Sequence, residues 1–157
     1  MKLSRNLSLQ ECTKSPTAIR LGILNHPSVE EIANLKLIAK SVFQPLRDYY
    51  GLPIAISSGY RSEALNEAVG GSKTSHHVKG QALDIDADVM SNGLTNKQIF
   101  DYIKNHCEFC QLIWEFGSDN QPAWVHVSYV EDDNRGEVLR AVRTSKGVVY
   151  ATYSPVL

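Results

Sequence analysis

No apolar run in this chain approaches the ~18 residues that a membrane-spanning helix needs. Charge of either sign is not in excess: 16 Lys and Arg stand against 17 Asp and Glu, for a formal net charge of -1. That balance gives no electrostatic reason to expect nucleic acid or an anionic membrane as a partner. Cysteine is scarce and odd in number, so Cys12, Cys107 and Cys110 do not indicate a complete disulfide framework. Cys107-Glu108-Phe109-Cys110 has CxxC spacing but no second pair to match it. Reduced, partly buried thiols are expected there, not a redox or second metal site. The opening Met1-Lys2-Leu3-Ser4-Arg5-Asn6 develops no apolar core, and no Sec-type signal peptide is expected. Internal repeats, low-complexity segments and linkers are missing as well. What remains is a 157-residue chain, 43% apolar and 21% charged. That is ordinary for a globular protein and long enough for one domain, 1–157, with a sizeable core.

The coarse pattern predicts an α+β fold, with helices packed on a mostly antiparallel sheet. Residues 1–26 have no clean period, but Leu7, Leu9, Ile19, Leu21, Ile23 and Leu24 predict an ordered arm lying on the domain. Ser28 and Glu31 have capping-box spacing at the head of a helix. Its apolar stripe runs through Ile32, Leu35, Ile38, Val42, Leu46 and Tyr49. Pro45 inside the stripe predicts a kink or break near Phe43, and Gly51 ends the helix. Ile54 to Ser58 reads as a strand, Glu63 to Val69 as a short helix and Gly70 to Thr74 as a loop. Gln81 to Ile85 is a further strand, with Ala82 and Asp84 on one face. Thr95 and Gln98 open another helix. Leu112 to Phe116 and Trp124 to Tyr129 form an antiparallel pair, and Val138 to Arg143 with Val148 to Tyr153 form one more hairpin.

The stretch that organises the chain is Ser75-His76-His77-Val78-Lys79-Gly80-Gln81-Ala82-Leu83-Asp84-Ile85-Asp86. Two imidazoles and two carboxylates beside apolar residues are costly to bury without partners. One divalent ion can partner a neutral imidazole and a carboxylate together. Gly80 permits a sharp turn that lets His77 and Asp84 converge, and His126 on a neighbouring strand would complete a three-ligand set for zinc. Alone, a strand histidine such as His126 is more often a satisfied core residue than a ligand. The linked His-Gly-Asp run shifts that balance. His76 diverges from His77 and is not expected to bind the same ion. Asp86 shares a face with Asp84 and could hold a ligand from behind, although a solvated strand-end carboxylate fits it better.

The run Ser75-x-His77-x-x-Gly80-x-Ala82-x-Asp84 resembles the SxHxxGxAxD motif of the zinc D-Ala-D-Ala carboxypeptidase family, which also contains phage endolysins. Ser58-Gly59-Tyr60-Arg61-Ser62 and Trp124-Val125-His126-Val127-Ser128 resemble its other motifs, in the same order. The likeness is strongest over roughly residues 25–130. It implies a hedgehog-like α+β fold and one Zn2+ held by His77, Asp84 and His126. It also implies a role for Arg61 at a substrate carboxylate or an oxyanion. In several branches of the family an acid stands three residues before the last histidine. Here that position is Ala123, a departure from the pattern.

Glu115 is the expected substitute as general base, provided the strand register turns it to the His126 face. The bland alternative is a strand glutamate paired with a nearby cation. Ser75 and Trp124 are candidate substrate contacts. The resemblance implies a peptidase acting on peptidoglycan stem peptides, either a D,D-carboxypeptidase or an endolysin-type endopeptidase. Such an enzyme is expected to be a monomer, made in the cytoplasm and acting on the cell wall after release. Two rivals stand beside it: a zinc-containing wall-binding module without catalysis, favoured by Ala123, and a phage structural protein.

Overall fold

The computed structural model describes residues 1–155. Two short strands, β1 (Lys2–Ser4) and β2 (Leu7–Ser8), form a ribbon that leads into the helices α1 (Leu9–Thr13) and α2 (Pro16–Leu21). The arm is ordered, as its apolar content predicts, but of the residues named for it only Leu7 is fully buried, with Leu9 packed against the core. Leu3, Leu7, Cys12 and Ala18 are buried, whereas Ile19, Leu21 and Leu24 point to solvent.

Helix α3 (Val29–Ile38) starts at the Ser28–Glu31 capping box. It runs on through a π-helical turn, Ala39–Phe43, into α4 (Gln44–Tyr50). The π turn is the break that Pro45 demands. A proline has no N–H for the carbonyl four residues back, and a local i→i+5 widening relieves its ring. Leu35, Ile38, Val42, Phe43 and Leu46 from this long element enter the core. Gly51, in the left-handed region at φ 64°, caps its end.

The strand expected from Ile54 is shorter, and β3 comprises only Ile56–Ser58. Helix α5 (Glu63–Ala68) follows, capped by Ser62. A 3-10 turn at His76–Lys79 then delivers the chain to β4 (Ala82–Ile85). Helix α6 (Asn96–His106) opens at the Thr95–Gln98 capping box. It precedes β5 (Gln111–Glu115), β6 (Trp124–Ser128), β7 (Glu137–Thr144) and β8 (Gly147–Thr152). The last six strands form one sheet in the order β3-β4-β6-β5-β7-β8. All neighbours are antiparallel except β5 and β7, which run parallel. The parallel pair arises because the segment after β6 crosses back past β5 before β7 begins.

The two faces of this sheet differ sharply. Leu83, Ile85, Leu112, Trp114, Val125 and Val127 point into a core completed by α3 and α6. The alternate residues Asp84, Glu115, Trp124 and His126 occupy the other face, which no helix covers. No helix among the described residues is long and apolar enough to cross a membrane.

Candidate metal centre and cleft

Three loops and strands bring the chemistry to one place. Gly80 turns the chain at φ +69°, and a Cβ there would lie 2.5 Å from the Glu31 carbonyl oxygen. The turn is thus possible only for glycine and lies directly against the head of α3. It carries the chain from His77 to Asp84. Asp84 pairs across the sheet with His126, so both side chains project from the same face. His77 Nε2 lies 3.2 Å from Asp84 Oδ1, and His126 Nδ1 lies 2.9 Å from the same oxygen. One donor atom from each residue falls within 4.8 Å of the others. With bonds of about 2.0–2.1 Å, the edge of a tetrahedral zinc site is about 3.4 Å, close to both separations.

Proton accounting makes this arrangement fit a cation. His77 is 1% exposed, and its Nδ1 donates to the Gly59 carbonyl at 2.6 Å. In the neutral ring Nε2 therefore carries a lone pair, and it faces a carboxylate oxygen that is also an acceptor. Two acceptors at 3.2 Å need a positive charge between them, either a proton on Nε2 or a metal ion. A divalent ion held by His77 Nε2, Asp84 and His126 would supply it with the ring left neutral. Burial raises the pKa of Asp84, but the two adjacent imidazoles, when protonated, outweigh it and hold the carboxyl far below its usual range. That direction favours the ionised carboxylate, the form a metal ligand would need.

The support behind His77 comes from the arm. Gly59 packs so closely on Cys12 that a Cβ would lie 2.5 Å from the Cys12 carbonyl oxygen. Tyr60 N–H donates to that same carbonyl at 2.7 Å. Asn25, buried, spans the neighbourhood: its Nδ2 donates to the carbonyls of Thr13 and Tyr60, and its Oδ1 accepts from Ser62 N–H. Arg61 N–H donates to the His77 carbonyl at 3.1 Å. Neither Gly59 as the orienting acceptor nor Asn25 as the clamp was expected from the sequence. The local signal for Asn25 is faint, because its three partners lie 12 to 37 residues away. Asp86 does not hold a ligand. Its carboxylate accepts from Asp88 N–H and from Asn96 Nδ2, fixing the loop after β4.

The centre opens into a cleft of about 560 Å³. Arg61, Ser75, His76, Glu115 and Trp124 all line it, together with Phe116, Leu139 and Tyr150. Glu115 sits opposite Trp124 in the β5–β6 register, two pairs along from Ile113–His126. The register therefore puts Glu115 on the face of His126, and it is only 7% exposed. Burial is the main cause that pushes its pKa to about 7; Asp84 adds to the rise, while His126, Arg143 and Arg61 oppose it. Arg61 reaches into the same region, and its Nε has no hydrogen-bond partner among the described residues. Ser75 Oγ accepts from His77 N–H at 3.3 Å, so it shapes the ligand turn as well as lining the cleft. Trp124 packs edge-on against Phe116 at 5.3 Å between ring centroids. His76 lines the cleft apart from the three-residue cluster, and burial lowers its pKa.

The cysteines take no part. All three are free, and burial pushes Cys12 up to about 12 and Cys107 up to about 11. Thiols so disfavoured as thiolates are poor nucleophiles and poor redox centres.

No curated protein matches this chain. A family model described as Peptidase M15 does match, over residues 5–128. That span takes in the arm as well as all three motifs, so the likeness begins earlier than residue 25. With the greater part of its length matched, the chain belongs to the Peptidase M15 family of zinc metallopeptidases, and its His77-Asp84-His126 cluster could hold a metal ion.

Proposed function

We propose that the protein hydrolyses peptide bonds in peptidoglycan stem peptides, with His77, Asp84 and His126 as zinc ligands and Glu115 as the general base. The observation that carries this reading is the position of Glu115. It is a buried carboxylate on the sheet face of the metal cluster, inside the same cleft. Zinc bound there would supply Lewis acidity, acidifying a water and polarising the scissile carbonyl. Glu115 would take the proton of the attacking water and return it to the leaving amine. A carboxyl whose pKa is displaced toward neutrality suits both transfers. Arg61 would meet the developing oxyanion or a substrate carboxylate with a guanidinium that burial has left short of partners. Ser75 and Trp124 would contact the peptide from the ligand turn and from β6.

Ala123 stands where several branches of the family carry the acid. Its neighbour Trp124 faces Glu115 across the β5–β6 pair, and Ala123 N–H donates to the Glu115 carbonyl. The carboxylate would thus come from the next strand in place of the missing one. Release of the enzyme to the wall and action there as a monomer complete the proposal. The test is hydrolysis of purified peptidoglycan by wild type and Glu115→Gln, each with its zinc content measured. Zinc in both proteins with hydrolysis only in wild type is the expected result. Equal hydrolysis by both would remove Glu115 from the mechanism. Zinc without hydrolysis of any wall type would favour a binding module.

A further inference from the structure

The match to the family ends at residue 128, yet the sheet does not. Strands β7 and β8 extend it beyond β5, and their cleft-side residues continue the rows that carry the site. One row crosses the sheet as Trp124, Glu115, Ala141 and Tyr150. The next begins at Asp84 and passes through His126 and Ile113 to Leu139. Ala141, fully buried, joins Glu115 to Tyr150 in this row. Tyr150 and Leu139 both line the cleft, although Tyr150 lies on the edge strand and is 54% exposed. Every residue of this edge strand is exposed, but Tyr150 is the one of them that lines the cleft.

We propose that Tyr150 is a specificity-determining residue, its ring forming with Leu139 an apolar platform for the N-terminal part of the substrate peptide. This rests on the peptidase reading above. Neighbouring strands lie about 4.8 Å apart, so Leu139 on β7 and Tyr150 on β8 stand about 10 and 14 Å from β6, which carries His126. An extended peptide covers about 3.3 Å per residue, and the platform therefore meets a residue about three to four positions from the scissile bond. Direction follows from the opposite end of the cleft. Arg61 follows β3, at the far side of the sheet, where it would meet a carboxylate or oxyanion. The chain on the acyl side then runs over Glu115 toward the hairpin. The site is thus built to favour a long stem peptide over a terminal dipeptide.

The experiment compares kcat/KM for N-acetylated D-alanyl-D-alanine, the tripeptide made by adding an L-lysyl residue, and the whole pentapeptide stem. Wild type, Tyr150→Ala, Tyr150→Phe and Val149→Ala are used. Val149 is a control on the same strand with its side chain on the other face. The ratio of pentapeptide to dipeptide kcat/KM should fall at least tenfold in Tyr150→Ala, mainly through KM. It should hold in Tyr150→Phe, which keeps the ring, and in Val149→Ala. Zinc content and thermal melting of each variant report its folding. A ratio unchanged in Tyr150→Ala, or an equal fall in Val149→Ala, overturns the proposal. Should wild type cleave none of the peptides, the peptidase reading fails on its own, and calorimetric binding of the same peptides to the zinc-loaded proteins decides the platform. Pentapeptide affinity at least tenfold above dipeptide affinity, lost in Tyr150→Ala, supports it. Equal affinities, or no binding, overturn it.

Discussion

Burial makes Glu115 costly to the fold. Its pKa is raised from the ordinary 4.5 to about 7, chiefly by burial, so the folded metal-free protein holds that proton more tightly than the unfolded chain does. The sign is therefore destabilising: the cost is absent below pH 4.5, grows as pH rises toward 7, and is constant above it. At about 1.36 kcal/mol per pH unit it reaches at most about 3 kcal/mol. Glu115→Gln should stabilise the metal-free protein by up to that amount at pH 8 and by almost nothing at pH 4, measured by urea unfolding. A gain independent of pH would show that the carboxylate is not desolvated. Gly59 makes a second prediction at this scale. A Cβ there would collide with the Cys12 backbone, and the carbonyl that orients His77 belongs to Gly59. Gly59→Ala should weaken zinc binding about 10–100-fold, the usual effect of losing an outer-shell partner. Competition with a chelator of known affinity measures it, and an unchanged affinity would mean that the carbonyl keeps its place against His77 despite the added Cβ.

The elements most visible in the sequence are those fixed by local chemistry. Ser28–Glu31 and Thr95–Gln98 announced two helices, and both form capping boxes. Pro45 announced a break, which takes the form of a π turn. The metal cluster was legible because Gly80 and the His77–Asp84 spacing lie within a dozen residues, and because strand alternation put His126 on a definite face. Glu115 was legible only through the register of the β5–β6 pair. What the sequence concealed depends on distant pairing. The crossover that makes β7 parallel to β5, the clamp by Asn25 and the carbonyl of Gly59 all join residues with no local pattern linking them. The arm shows the same limit: its apolar residues announced order, but not which of them would be buried. Gly80→Ala tests the turn as an element. A left-handed residue with a Cβ costs about 1–2 kcal/mol, before any shift forced on α3. The variant should lose at least that much stability in urea and bind zinc more weakly. Full stability would mean that the turn tolerates a side chain.

At the scale of the whole molecule, one helix-covered face of the sheet supplies stability, and the other, left open, supplies the site. The metal should couple the two. His77 and Asp84 enter from the turn on α3 and from β4, and His126 enters from β6, so an ion bound between them ties distant parts of the chain together. Binding to the folded state alone stabilises it by mass action, about 2.7 kcal/mol when free zinc is 100 times Kd. Chelation should therefore lower the melting temperature, and added zinc should restore it; a melting temperature insensitive to zinc would place the ion elsewhere. The most direct test of a zinc peptidase acting on the cell wall joins both quantities in one preparation. Zinc per chain and soluble peptide released from purified peptidoglycan are measured as isolated, after chelation and after zinc is returned. One zinc per chain, with hydrolysis lost and regained in step with it, is the predicted result. Hydrolysis that persists after complete removal of the metal, or a chain that binds no zinc, would contradict it.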